Sequence, residues 1–138
     1  MSAFSKDLGI DLGTIQTRIA DFSGVLVDEP TVAAIVIDEQ KVVEFGKAAR
    51  DMQGRIQTDT IELAHPLQNG VVADYEITEF LLTQLLKRVS GPMRIFRPRV
   101  MISVPYGVTS VERRAVYEAV LEAGSREAYL IQQPLAAA

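Results

Sequence analysis

Gly9-Ile10-Asp11-Leu12-Gly13-Thr14-Ile15-Gln16-Thr17 decides how the rest of this chain is read. Apolar residues run into an aspartate, a glycine follows two positions on, then a threonine, and a second strand-like run begins at Thr17. That order predicts a tight hairpin between two strands. Its turn gathers backbone N–H groups, a hydroxyl and one carboxylate at a single point. A nucleotide phosphate with its Mg²⁺ calls for that set: small residues for close approach, N–H and O–H donors for oxygens, and a carboxylate for metal-bound water. An ordinary hairpin with a polar turn would use the same residues, so the remaining chain has to decide between the two.

Composition narrows the field. The 138 residues suit one domain with a real core, and 48% hydrophobic against 23% charged residues describes a soluble globular chain. Net charge is −4, from 14 basic and 18 acidic residues without a basic run, which gives nucleic-acid binding no support. Cysteine is absent, so disulfides, thiolate metal sites and a cysteine nucleophile are excluded, as suits a reducing cytoplasm. The opening residues Met1 to Asp7 lack the apolar segment of a signal peptide, and no apolar run reaches membrane-spanning length.

Taken in order, Leu8–Asp11, Thr17–Phe22 and Val25–Val27 read as a three-strand meander, interrupted by Asp28-Glu29-Pro30. Thr31–Ile37 and Lys41–Phe45 form a second hairpin, Gly46–Met52 a short helix, Gln53–Thr60 a loop, and Ile61–Leu67 holds a short strand. Asn69-Gly70 marks a turn before the strand Val71-Val72-Ala73. A helix follows, capped by Asp74, with Ile77, Phe80, Leu81, Leu85, Leu86 and Val89 on one stripe. Arg99–Val104 is a core strand. Thr109-Ser110-Val111-Glu112 is a capping box for a helix reaching Ala123, Glu127–Ile131 is one more strand, and Gln132-Gln133-Pro134 opens a further helix. The order predicts an α/β fold with a mixed sheet and flanking helices.

Several short stretches occur together in a familiar order and spacing. They are Ile10–Thr14, Asp28-Glu29-Pro30, Gly70–Asp74, Pro98-Arg99-Val100, Val104-Pro105, Val111–Ala115 and Tyr129–Ile131 with Pro134–Ala138. From about Asp7 to Ala138 the chain resembles the MreB family of bacterial actins. The resemblance implies an actin-like (ribonuclease H-like) fold that binds ATP with Mg²⁺ between two halves, hydrolyses it slowly, and self-associates into filaments. It further implies a cytoplasmic location at the inner face of the cell membrane, where such filaments guide cell-wall elongation. The chain corresponds to the first half only, with residues 1–30 and 68–138 as the core subdomain and 31–67 as a small inserted one. A separate second half or cell-wall-elongation proteins are the expected partners, and one half of a two-sided site is expected to bind ATP weakly and hydrolyse none.

On this resemblance Asp11 holds Mg²⁺ through water, and Gly13, Thr14, Ile15 and Gln16 form the first phosphate loop. The family usually has a small residue and Asn at the positions of Ile15 and Gln16, so Ile15 crowds the approach. The family's catalytic position, a Glu next to the proline of the last motif, is Gln133 here. A glutamine can hold a water but cannot take its proton at neutral pH. A shortened interaction module that binds or caps a partner without ATPase activity is therefore the alternative.

The stretch Gly91–Pro98 has its own reading. Met93, Ile95 and Phe96 stand between prolines and beside Arg94 and Arg97, a composition suited to an anionic membrane surface. A similar loop inserts into membranes in the MreB family. His65, the single histidine, has no partner pattern, and Arg113-Arg114 reads as a solvated face or a filament contact.

Overall fold

A computed structural model describes residues 7–52, 60–90, 97–105 and 107–132. Strand β1 (Asp7–Leu12) turns back through β2 (Gln16–Asp21) and β3 (Gly24–Pro30). Next come β4 (Ala33–Val36), β5 (Lys41–Phe45), helix α1 (Gly46–Met52) and β6 (Ile61–Ala64). A two-residue pair, β7 (Leu67–Gln68) and β8 (Val71–Val72), leads into α2 (Tyr75–Ser90). Strand β9 (Arg99–Val104), α3 (Ser110–Glu122) and β10 (Glu127–Gln132) complete the described chain.

Five strands form the main sheet in the order β10-β9-β1-β2-β3, and three form a second sheet, β5-β4-β6. In the main sheet β1, β9 and β10 run parallel while β2 and β3 run antiparallel to their neighbours. Alternation along the strands sorts the side chains. Leu8, Ile10 and Leu12 of β1, with Ile19, Val27, Val100, Ile102 and Val104, turn to one face. There they meet Leu81, Leu82, Leu85 and Leu86 of α2 and Val116, Ala119 and Val120 of α3.

The second sheet has its own small core of Val32, Ala34 and Ala49. Ile77, in the first turn of α2, packs with Ala33 and Ile35 and so belongs to this sheet's other side. The helical stripe therefore serves two cores. Leu82, left off the stripe by the sequence reading, is fully buried, whereas Phe80 sits edge-on against Phe45 at 6.5 Å.

Two further departures have physical causes. Asp28-Glu29-Pro30 do not interrupt the meander: β3 runs through them and pairs Pro30 with Gln16. Proline is tolerated because β3 ends the sheet, so its missing N–H faces no neighbouring strand. Thr31 stands outside β4 because the chain turns there: Thr31 N still bonds Ile15 O of the first hairpin, and Val32 N bonds back to Pro30 O. The Thr31 hydroxyl is buried against that of Thr17 at 2.6 Å. The cap of α2 is as read, with Asp74 Oδ1 accepting from Ile77 N at 3.0 Å. The capping box of α3 is likewise complete, Thr109 and Glu112 each bonding the other's backbone.

Candidate functional site

The turn between β1 and β2 lies at the carboxyl ends of the parallel strands. Asp11 is in register with Ser103 of β9, which in turn faces Ile131 of β10, and Gln132 pairs with Val104. Ligands of open α/β sheets collect at that edge because loops diverge there and leave a crevice.

Within the turn, Gly13 N donates to Gln16 O at 3.0 Å. A Cβ on Gly13 would stand 2.7 Å from the same oxygen, so no larger residue keeps this closure. Thr14 Oγ1 accepts a 2.6 Å hydrogen bond from Gly70 N, which frees its own O–H to donate outward. Ile15 forms the tip, 80% exposed, and its carbonyl accepts from Thr31 N at 2.8 Å. Gln16 turns its amide to Asp28 at 2.7 Å. That bond, helped by Arg18 and Lys47, holds the Asp28 carboxyl below the usual aspartate range.

Asp11 is exposed and accepts through Oδ1 from Ser103 Oγ at 3.2 Å. A carboxylate has about four lone-pair sites, so this one bond leaves room for a metal-bound water. Among the described residues no group of three or more acidic or histidine side chains could grip a metal alone. One exposed carboxylate with spare lone pairs is the kind of group that could hold Mg²⁺ through water, an ion that keeps several waters and takes further ligands from phosphate. When bound, such an ion would offset phosphate charge, and Asp11, held by Ser103, and Thr14, held by Gly70, would be the residues facing it.

Two supports of the turn went unread in the sequence. Gly70 has φ +79°, and a Cβ there would lie 2.6 Å from Pro105 Cγ. The Asn69-Gly70 turn is thus wedged between Thr14 and the end of β9, and its sequence signal reported only a turn. Ser103 is joined to Asp11 across 92 positions by strand register, which no local pattern carries. Beside the turn a cleft of about 440 Å³ is walled by Ile15, Gln16, Thr31, Arg50 and His65 among others, so His65 does border the site region. Gln133, and the loop residues Met93, Ile95 and Phe96, lie outside the described residues.

The family model described as MreB/Mbl protein matches residues 5–138. The cell shape-determining protein MreB of Haemophilus influenzae is 43% identical over 141 residues, covering 98% of this chain and 40% of that protein. MreB of Escherichia coli K12 is 42% identical with the same coverages, and the cell shape-determining protein Mbl of Bacillus subtilis is 36% identical over 136 residues. The chain thus spans about 40% of the length of these curated relatives. Among solved structures, MreB5 of Spiroplasma citri bound to ADP superposes with a TM-score of 0.79 at 30% identity, over 93% of this chain and 38% of that one. The MamK double helical filament shares the fold, with a TM-score of 0.76 at 23% identity over 93% of this chain and 41% of that one. By family model, relatives and actin-like fold together, the chain belongs to the MreB/Mbl family.

Proposed function

We propose that this chain supplies the first half of a nucleotide-binding, actin-like cytoskeletal protein. In this reading ATP with Mg²⁺ sits between two halves, subunits add head to tail, and the filament acts at the cytoplasmic face of the membrane in maintaining cell shape. Head-to-tail contacts do not close, which is why they make filaments. Residues 31–67, which include the second sheet, act as a small subdomain inserted in the core formed by 1–30 and 68–138.

One observation carries the proposal: at the carboxyl edge of the sheet the turn presents the Thr14 hydroxyl and the Asp11 carboxylate, each fixed by a partner, Gly70 and Ser103. The names of the relatives support the cell-shape role, and the Spiroplasma protein, bound to ADP in one structure and AMPPNP in another, supports nucleotide binding. In the catalytic position Gln133 would orient a water without taking its proton. Membrane contact rests on the sequence of Met93, Ile95 and Phe96.

A chimaera tests the reading. This chain, replacing the matching first part of Escherichia coli MreB, should bind Mg-ATP and pellet with it, and Asp11→Ala should abolish both. The chain alone should bind Mg-ATP weakly or not at all and turn over none, because binding energy that needs both halves is lost with one. A chimaera that folds by circular dichroism yet binds no nucleotide overturns the proposal. It would favour the second reading, an interaction module without ATPase activity, to which the bulky exposed Ile15 at the tip of the turn already points.

A further inference from the structure

The hairpin joining β2 to β3 ends in an unusual tip. Asp21 pairs with Gly24, which leaves Phe22 and Ser23 as the turn, a place where polar residues and glycine prevail. Phe22 is 90% exposed there, and Val25 and Leu26 are exposed beside it. Leu26 is turned out by a bulge: Ile19 pairs with Val27 and Ala20 with Val25, so Leu26 has no cross-strand partner. Single exposed apolar residues are ordinary; three within five positions at one protruding tip form a patch.

The tip is also held in shape. Asp21 Oδ1 accepts from Ser23 N at 2.7 Å and from Ser23 Oγ at 2.6 Å. Polar groups already bonded to each other cost less to move out of water than open ones. Strand register then fixes where the tip lies. Asp7 faces Arg99 on one side, and Gly9 faces Ala20 on the other, so Phe22 falls at the sheet edge where β1 and β9 begin. From β2 to β9 is two strand spacings, about 10 Å. The chain enters β9 through Arg97 and Pro98, directly after the stretch whose sequence holds Met93, Ile95 and Phe96.

We infer that Phe22, Val25 and Leu26 dip into the interfacial layer of a lipid bilayer, as an apolar contact additional to the one proposed for Met93, Ile95 and Phe96. The inference rests on the membrane contact proposed above. A convex tip of three side chains offers far less than the roughly 800 Å² per partner of a specific protein interface, whereas a bilayer accepts a convex tip. Charge at this edge is balanced, with Arg97, Arg99 and Arg126 against Asp7, Asp21 and Glu127, and Arg99 already bonded to Asp7. Apolar insertion therefore carries the contact. Binding at a membrane interface scales with the apolar area buried there, so a second apolar contact strengthens a first.

The chain contains no tryptophan, so Phe22→Trp is a single reporter. With phosphatidylglycerol–phosphatidylethanolamine vesicles its emission should shift to the blue and be quenched by brominated acyl chains. Phe22→Ser should lower vesicle partitioning at least threefold with an unchanged circular dichroism spectrum, and Phe22→Leu should retain most of it. A chain that floats with vesicles while Trp emission is unmoved and Phe22→Ser partitions as the parent does overturns the inference. If flotation is then lost in Ile95→Ser/Phe96→Ser, membrane contact stands without the hairpin. If the parent chain never floats, the membrane reading falls and the hairpin inference with it.

Discussion

Glu29 and Arg88, 59 positions apart, meet at 2.6 Å between the edge strand of the main sheet and the last turns of α2. The same carboxylate accepts from Lys47 N at 2.9 Å, and the guanidinium lies 5.2 Å above the Phe45 ring. One ion pair thus ties β3, α2 and the β5–α1 corner together. The corner must be glycine: Gly46 has φ +68°, and a Cβ there would stand 2.6 Å from Glu29 Oε1.

This pair should make stability sensitive to acid. Burial alone would push Glu29 up, but the hydrogen bonds from Arg88 and Lys47 N, with the charges of both side chains, outweigh it and hold the carboxyl low. A folded-state pKa below the unfolded value of about 4.3 gives stability that is present above that pH and lost as pH falls through the folded pKa. Glu29→Gln should cost about 2 kcal/mol at pH 7, with the gap to the parent shrinking below about pH 4. Urea melts at pH 7 and pH 3.5 check it; a gap equal at both would remove the ion pair from the explanation.

Gly70→Ala should damage the turn at one remove. Left-handed backbone costs a non-glycine residue about 1–2 kcal/mol, and the added carbon meets Pro105 Cγ at 2.6 Å. We expect a loss of 2 kcal/mol or more by the same reasoning. In the chimaera Mg-ATP affinity should fall as well, since Gly70 N holds Thr14 Oγ1. An affinity untouched by a destabilised Gly70→Ala would show that Thr14 does not depend on this bond.

Core and surface should separate cleanly on the helices. Leu85 is fully buried between α2 and the main sheet, and Leu85→Ala should cost about 2–5 kcal/mol. Val111, exposed in the first turn of α3, should change stability by less than about 0.5 kcal/mol on replacement by alanine. Thermal melts of both variants decide the point, and similar losses would contradict the packing.

The main sheet's other face carries a row in register, Tyr129, Met101, Gly9 and Ala20, in which Met101 and Tyr129 are exposed. Apolar rows of this kind drive association. The chain should self-associate as concentration rises, and Met101→Lys should weaken that association in sedimentation velocity. A parent chain that stays monomeric at every concentration would refute the expectation.

What could be read in advance followed the range of each interaction. The β1–β2 turn, the Asp74 cap and the Thr109–Glu112 capping box are contacts within a few residues, and their patterns were visible. Pro30 misled because its tolerance depends on β3 being an edge strand, a property of sheet order. Leu82 escaped the stripe because α2 faces a sheet and a second helix, which widens its buried arc beyond one ridge. Ser103 and Gly70 came to Asp11 and Thr14 by parallel register and by the return of the chain from the second sheet, and neither leaves a local mark.

The chain crosses from the main sheet to the second through Thr31 and Val32 and returns through His65 and Pro66, while the residues just beyond, Ala33 and Ala64, face each other as strand partners. Two covalent crossings side by side behave as a double-leaf hinge. They resist sliding of one sheet along the other and make the line through both links the natural axis of the joint. Two contacts from the main body cross that line, Lys47 N donating to Glu29 at 2.9 Å and Ile77 of α2 packed on Ala33 and Ile35, and they set the angle at which the second sheet is held.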